Sequence, residues 1–308
     1  MANLDVHQTG ERRRVLSSII CFLRRNGRAT MYKNLLVHIP TERSARPAVD
    51  GSISLAMSSG AHLDAIAIGF ERVNNVPFVA EGGAAVASII ELEYERAMER
   101  AQGALEVFEV EAKGAEISYN ARALVGTLGD VVATVSASAR LYDLMVVSQG
   151  EPDRGGFDNQ LPQELLLQTG GPLLVFPYTF RGAFKAARIG ICWDGSRLAA
   201  RALHDAMPLL AQADTLTAIT LNISEVPAEA SPIQLAKNMA RSGLPVRTIS
   251  LNADRGQVQA SILSVAADES LDLLVMGGYG HARMQETVFG GVTREMFRSM
   301  TIPVLMSH

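Results

Sequence analysis

Leu141-Tyr-Asp-Leu-Met-Val-Val-Ser148 and Leu271-Asp-Leu-Leu-Val-Met-Gly277 are two versions of one phrase, with Asp143 opposite Asp272. Each is a short apolar run bounded by an acidic lead and a small residue, which reads as a buried strand. Downstream, Gly171-Pro-Leu-Leu-Val-Phe176 answers to Ile302-Pro-Val-Leu-Met306. Upstream, Lys33-Asn-Leu-Leu-Val37 opens one unit and Ala187-Arg-Ile-Gly-Ile191 opens the other. The chain therefore repeats itself.

Within the second unit the alternation of elements is legible. An apolar strand over 188–193 is followed by Ser196, a residue type that caps helices. The helix after it places Ala199, Ala202, Leu203, Ala206, Leu209 and Leu210 close to helical spacing. Strands over 215–221 and 245–251, a helix over 256–268, a strand over 271–276, a glycine-rich loop, a helix from 292 and a strand over 303–306 complete it. The first unit follows the same order, with a long helix over 84–111 whose Glu91, Glu93, Glu95, Arg96, Glu99 and Arg100 form a solvated, salt-bridged face. Strands that are nearly continuous apolar runs, alternating with helices, predict a parallel sheet covered on both faces. The expected fold class is α/β, as two tandem doubly wound, Rossmann-like domains over 31–177 and 187–308, with a linker over 177–187.

Composition narrows the function. At 308 residues, 28 Lys plus Arg against 32 Asp plus Glu leave a net charge of −4, with no basic excess for general nucleic-acid binding. Cys21 and Cys192 build no disulfide framework and no zinc pair, which fits a reducing cytoplasm. Residues 1–30 carry Arg12, Arg13, Arg14, Arg24, Arg25 and Arg28 around the apolar run Val15 to Leu23, too short to span a bilayer. They read as an N-terminal extension, disordered or a loose helix. An amphipathic helix touching a membrane surface or a partner is the other reading.

In open parallel sheets ligands bind beyond the carboxyl ends of strands. Asp194 follows the opening strand of the second unit directly, in Cys192-Trp-Asp-Gly-Ser196. Gly277-Gly-Tyr-Gly280 follows a later strand, and Gly290-Gly-Val-Thr293 opens a helix whose first N–H groups suit a phosphate. Asp194 is a hydrogen-bond acceptor suited to ribose hydroxyls. The plainer alternative is that these glycines are tight turns and the aspartate a helix cap.

The stretch Asp272-Leu-Leu-Val-Met-Gly-Gly-Tyr-Gly-His281, through Gly290-Gly-Val-Thr-Arg-Glu295 to Pro303-Val-Leu-Met306, resembles the closing signature of the universal stress protein family. Ile191-Cys-Trp-Asp-Gly-Ser196 is similar to its opening strand and turn, and with the repeat the resemblance covers 31–308 as a tandem pair. It implies a sheet of five parallel strands in each unit and pairing through the last strand. In nucleotide-binding members it implies ATP or a related adenine nucleotide, with Mg²⁺. Carried over by position, Asp194 meets the ribose and Leu221 faces the adenine through its backbone. Met276, Gly277 and Gly280 line the ribose and phosphate path, Gly290 and Gly291 present N–H groups to the phosphates, and Val292 and Thr293 start the helix behind them. The family pattern has Ser or Thr where this chain has Gly291. A hydroxyl bonded to a charged phosphate contributes about 1.5–3 kcal/mol, so its loss implies roughly ten- to hundredfold weaker binding. Thr293, His281 and Arg283 are the nearby substitutes.

Counted from the strands, the first unit has Pro40 where Asp194 stands, Ser148 and Glu151 where Gly277 and Gly280 stand, and Asn159 and Gln160 opposite Gly290 and Gly291. Gly155-Gly156 reads as a flexible loop. The site expected there is degenerate. The chain contains no GxxxxGK[ST], GxSxG or HExxH, and no catalytic residue or protein-held metal is assigned. His204 reads as a surface side chain, His281 as a loop residue, and Cys192 as a small core residue. The function expected is a cytoplasmic stress-response protein, not an enzyme, whose second domain binds an adenine nucleotide as a regulatory ligand. The alternative is a nucleotide-independent scaffold, and slow nucleotide hydrolysis stays open. Expected partners are the nucleotide and the other half of the chain, in an internal pseudo-dimer. A homodimer stays open, with no nucleic acid and no membrane span.

Overall fold

The computed structural model describes residues 31–70, 83–279 and 291–308, and for 83–86 the backbone alone. Its strands are β1 (Asn34–Ile39), β2 (His62–Phe70), β3 (Tyr119–Gly126), β4 (Leu144–Ser148), β5 (Leu173–Phe176), β6 (Arg188–Cys192), β7 (Thr215–Leu221), β8 (Val246–Leu251), β9 (Leu273–Gly277) and β10 (Val304–Ser307). They form a single sheet in the order β3-β2-β1-β4-β5-β10-β9-β6-β7-β8. Pairing is parallel within each run of five. The runs meet antiparallel at β5 and β10, with Val304 opposite Val175 and Met306 opposite Leu173. Each fifth strand would otherwise leave a row of backbone donors and acceptors unpaired.

The helices are α1 (Arg46–Ser59), α2 (Gly83–Gly114), α3 (Leu128–Ala139), α4 (Phe157–Gln168), α5 (Arg197–Asp205), α6 (Met207–Leu210), α7 (Pro232–Arg241), α8 (Val258–Asp268) and α9 (Val292–Ser299). Side chains alternate across the sheet, so Leu144 and Val146 of β4 join one core layer while Met145 and Val147 join the other. The first layer takes Val49 and Ile53 of α1, Phe108 of α2, Leu203 of α5 and Met239 of α7. The second takes Val135 of α3, Leu165 of α4, Val265 of α8 and Phe297 of α9. Both layers run through the two halves. Central strands buried on both faces explain the continuous apolar runs, whereas the outer strand β8 keeps polar, exposed positions.

The repeated aspartates have a structural cause. Asp143 Oδ2 accepts the backbone N–H groups of Lys33 and Asn34 at 2.6 and 2.9 Å, which fixes the start of β1. Asp272 Oδ2 does the same for Ala187 and Arg188 at 3.2 and 2.8 Å, at the start of β6. The phrase is repeated because each carboxylate registers a neighbouring strand.

Expected elements shift by a few residues. The helix after Ser196 breaks at Ala206, next to Pro208, into α5 and α6, yet its six expected apolar positions are all buried. Helix α7, with Pro232 in its first turn, is an element that the periodicity did not reveal. The stretch 177–187 is pinned to α1: Gly182 N–H donates to Asp50 at 3.1 Å and Phe184 N–H to Ser54 at 2.7 Å. On the face of α2, Arg96 pairs with Glu93 at 3.1 Å, while Arg100 turns to the Phe70 carbonyl at 3.0 Å. Among the described residues no helix is long and apolar enough to cross a membrane. The expected extension over 1–30 lies outside the described residues.

Candidate functional site

In each half the chain leaves the sheet on opposite sides of one strand pair, β1/β4 and β6/β9. Crevices open at such switch points, at the carboxyl ends of the strands. Ile191 lies opposite Val275 in the second half. That register brings Asp194, two residues beyond β6, to the same edge as Gly277, the last residue of β9.

Asp194 is exposed, and its Oδ1 accepts the Ser196 N–H at 2.9 Å. Ser196 Oγ in turn accepts the Ala199 N–H at 3.1 Å and caps α5. Burial pushes the Cys192 thiol up to about 12, and the nearby Asp194 carboxylate adds to the shift. Leu221 ends β7 half-buried. Met276 is only 5% exposed, which leaves its backbone to meet a ligand. Gly277 is needed for packing: a Cβ there would stand 2.7 Å from the Leu198 carbonyl carbon and 2.8 Å from the Ala199 nitrogen of α5. Val292 packs partly buried against the second core layer.

Thr293 is 3% exposed and its Oγ1 accepts the Tyr279 N–H at 2.9 Å. It ties the loop to α9, so its acceptor side is already engaged. Gly291 caps α9 with φ −61° and ψ 138°, a conformation open to any residue. Among the described residues no side chain accepts from the first N–H groups of α9. Gly280, Gly290, His281 and Arg283 lie outside the described residues. His204 bonds Ala200 of its own helix, Nδ1 to carbonyl, at 2.7 Å.

At the same edge of the first half, the start of the matching helix is taken by the chain itself. Helix α4 starts at Phe157 with Gly156 as its cap. Gly155-Gly156 therefore matches Gly290-Gly291, and the pairing with Asn159 and Gln160 was displaced. The cause is loop length: 149–156 joins β4 to α4 in eight residues, whereas 278–291 joins β9 to α9 in fourteen. Gly156 is not loop slack. Its φ is 141°, and a Cβ would stand 2.5 Å from Glu42 Oε2.

Glu42 is the occupant that sequence reasoning missed. Its carboxylate accepts the Asp158 N–H at 3.2 Å, in the first turn of α4, where an anionic ligand would sit. Asp158 Oδ2 accepts the N–H groups of Thr41 and Glu42 at 2.9 and 2.8 Å. Arg43 donates to Asn159 Oδ1 at 2.7 Å and to the Ser148 carbonyl at 2.9 Å. His38 Nε2 lies 3.5 Å from Asp158 Oδ1. Burial pushes His38 down to about 3, with Arg43 adding. Burial also raises Asp158 to about 6, against the pull of Arg43 and its backbone donors. No local signal marks Glu42 in Pro40-Thr-Glu-Arg43, because the helix start it meets lies 116 residues further on.

Residues 186–308 match the model of the Universal stress protein family. The chain is also similar in sequence to a curated universal stress protein. A universal stress protein of Synechocystis sp. is 29% identical over 138 residues, which covers 44% of this chain and 46% of that relative. The alignment thus spans about half the length of the curated relative. Among solved structures, a universal stress protein of Archaeoglobus fulgidus covers 88% of this chain and 97% of its own, with TM-score 0.65 and 13% identity. A functionally unknown protein of Pseudomonas aeruginosa covers 90% and 92%, with TM-score 0.53 and 13% identity. The family match reaches the second half only. The likeness to solved structures, which is one of fold, spans most of the chain.

Proposed function

We infer that this chain is a cytoplasmic stress-response protein built from two universal stress protein-like halves, and that its second half binds an adenine nucleotide as a regulatory ligand. The observation that carries the reading is the start of α9, capped by no side chain among the described residues, at the same sheet edge as the exposed Asp194. Asp194 would accept from the ribose and the end of β7 at Leu221 would face the base. The backbone of Met276 and Gly277 would lead, through Gly280, to phosphates held by Gly290, Gly291, Val292 and Thr293. Mg²⁺ would arrive with the phosphates: among the described residues no group of three or more His, Cys, Asp or Glu is placed to hold a metal ion.

Binding should be weak. Gly291 lacks the hydroxyl of the family pattern, and Thr293, bonded to the Tyr279 N–H, is only 3% exposed. Titration calorimetry with ATP·Mg²⁺ tests the reading. Millimolar or tighter binding is expected, weakened about tenfold in Asp194→Ala and tightened about tenfold in Gly291→Ser, the worth of one charge-assisted hydrogen bond. A folded protein that gives no heat at millimolar ligand sinks it.

One observation favours the nucleotide-independent scaffold. Close packing of α5 accounts for Gly277 without any ligand. The same titration decides between the two.

A further inference from the structure

The glycine loop of the second half begins on a left-handed residue that is not glycine. Tyr279 has φ 53°, an uncommon conformation for a bulky side chain that persists only where its surroundings fix it. Two hydrogen bonds do so. Its N–H donates to Thr293 Oγ1 at 2.9 Å, and its hydroxyl donates to Gln163 Oε1 at 3.0 Å. Thr293 belongs to the same half. Gln163 does not: it lies on α4, in the first half.

A second contact follows the same route. Gly278 precedes Tyr279, and a Cβ there would stand 2.7 Å from Leu166 Cδ2, one turn along α4 from Gln163. Gly278 is also held by its N–H donating to the Ser307 carbonyl at 2.8 Å. Helix α4 makes a rigid support because Glu42, Asp158 and Asn159 fasten its first turn to the loop after β1. At the matching place in the first half, the loop closes on its own helix: Asn159 accepts the Glu151 N–H at 3.1 Å and donates to the Glu151 carbonyl at 3.0 Å.

We propose that Gln163 is a positioning residue for the nucleotide site of the second half, so that the first half acts through α4 as a built-in support for a site it does not itself contain. The inference rests on the nucleotide reading above. Gln163 touches no ligand. It fixes Tyr279, which bonds Thr293 at the start of α9, so its loss should be felt by the phosphate end of the ligand more than by the nucleoside end.

The test is a double-mutant cycle on the full chain, with Gln163→Ala, Tyr279→Phe and both together, titrated with ATP·Mg²⁺ and with AMP. A neutral hydrogen bond corresponds to about two- to tenfold in affinity. Each single variant should therefore lose about that much for ATP and less for AMP, and the double variant should lose no more than one single. Thermal unfolding without nucleotide checks that Tyr279→Phe, which keeps the ring, remains folded. Wild-type protein that binds neither nucleotide overturns the nucleotide reading and this inference with it. Wild-type binding with variants unchanged overturns this inference alone. So do losses that multiply in the double variant, or that fall equally on ATP and AMP.

Discussion

The carboxyl ends of β1 and β4 and those of β6 and β9 are the same place built twice, and they are finished in opposite ways. In the first half Glu42 supplies the anion at the start of α4, beside a network in which Arg43 bonds Asn159 and His38 approaches Asp158. In the second half the matching Gly195 and Ser196 are small and Asp194 is exposed, and the stretch between β9 and α9 is six residues longer, fourteen against eight. A switch point of this fold therefore offers a seat for negative charge whether or not a ligand takes it. A side chain from the neighbouring loop can take it permanently.

The largest effect should come from breaking the filled end. Arg43→Met would leave the buried Asp158 and the half-buried Glu42 without their cation, and the loss expected is about 3–5 kcal/mol. Urea unfolding should show it, beside a change within about 0.5 kcal/mol for the exposed Asp194→Ala at the open end. Comparable losses at both ends would erase the distinction. Next in size is Gly277→Ala, whose new methyl must enter the backbone of α5 and should cost about 1–3 kcal/mol. Gly291→Ala, with ordinary dihedrals at the head of α9, should cost well under about 1 kcal/mol by the same measurement.

Acid should separate His38 from Cys192, which ends β6 one residue beyond Ile191 as His38 follows Val37 in β1. His38 ordinarily titrates at 6.5 and is held at about 3 in the fold, so the unfolded chain takes its proton first. Its stabilising share is full above pH 6.5 and is lost as pH falls towards 3. Asp158, raised from 3.8 to about 6, works the other way: its share is full below 3.8 and lost as pH rises through about 6. The stability deficit of His38→Met, about 1–2 kcal/mol at neutral pH, should shrink and then reverse between pH 6.5 and 4, since one pKa unit is worth about 1.4 kcal/mol. The thiol of Cys192, pushed up to about 12, gives Cys192→Val a deficit that stays flat over the same range. A deficit for His38→Met that does not change with pH would count against a buried neutral imidazole. The smallest effect is Ser196→Ala, which removes the cap of α5 and should lower the unfolding free energy by about 1 kcal/mol.

Much of the fold was written in local pattern. The Asp143 and Asp272 phrases revealed the repeat because each carboxylate acts on the strand beside it, and β7 fell where its apolar run lay. The second half's edge could be read from Asp194 and the glycines because small and polar residues at strand ends are informative by themselves. The first half's edge could not. Glu42 and Asp158 are 116 residues apart, and only the folded sheet brings the carboxylate to the helix start. The shorter loop also shifted Gly155-Gly156 out of alignment with its partner pair. The role of Gln163 was invisible for the same reason, since Tyr279 also lies 116 residues away.

The antiparallel seam between β5 and β10 has a consequence for inheritance. Two separate copies of one half, meeting through their last strands, would associate according to concentration and would share every mutation. Joined in one chain, the halves meet at a fixed one-to-one ratio that dilution cannot alter. A substitution can then fall on one end of the sheet and leave the other untouched. The seam is what allows one helix start to take a glutamate while its counterpart, among the described residues, takes no side chain.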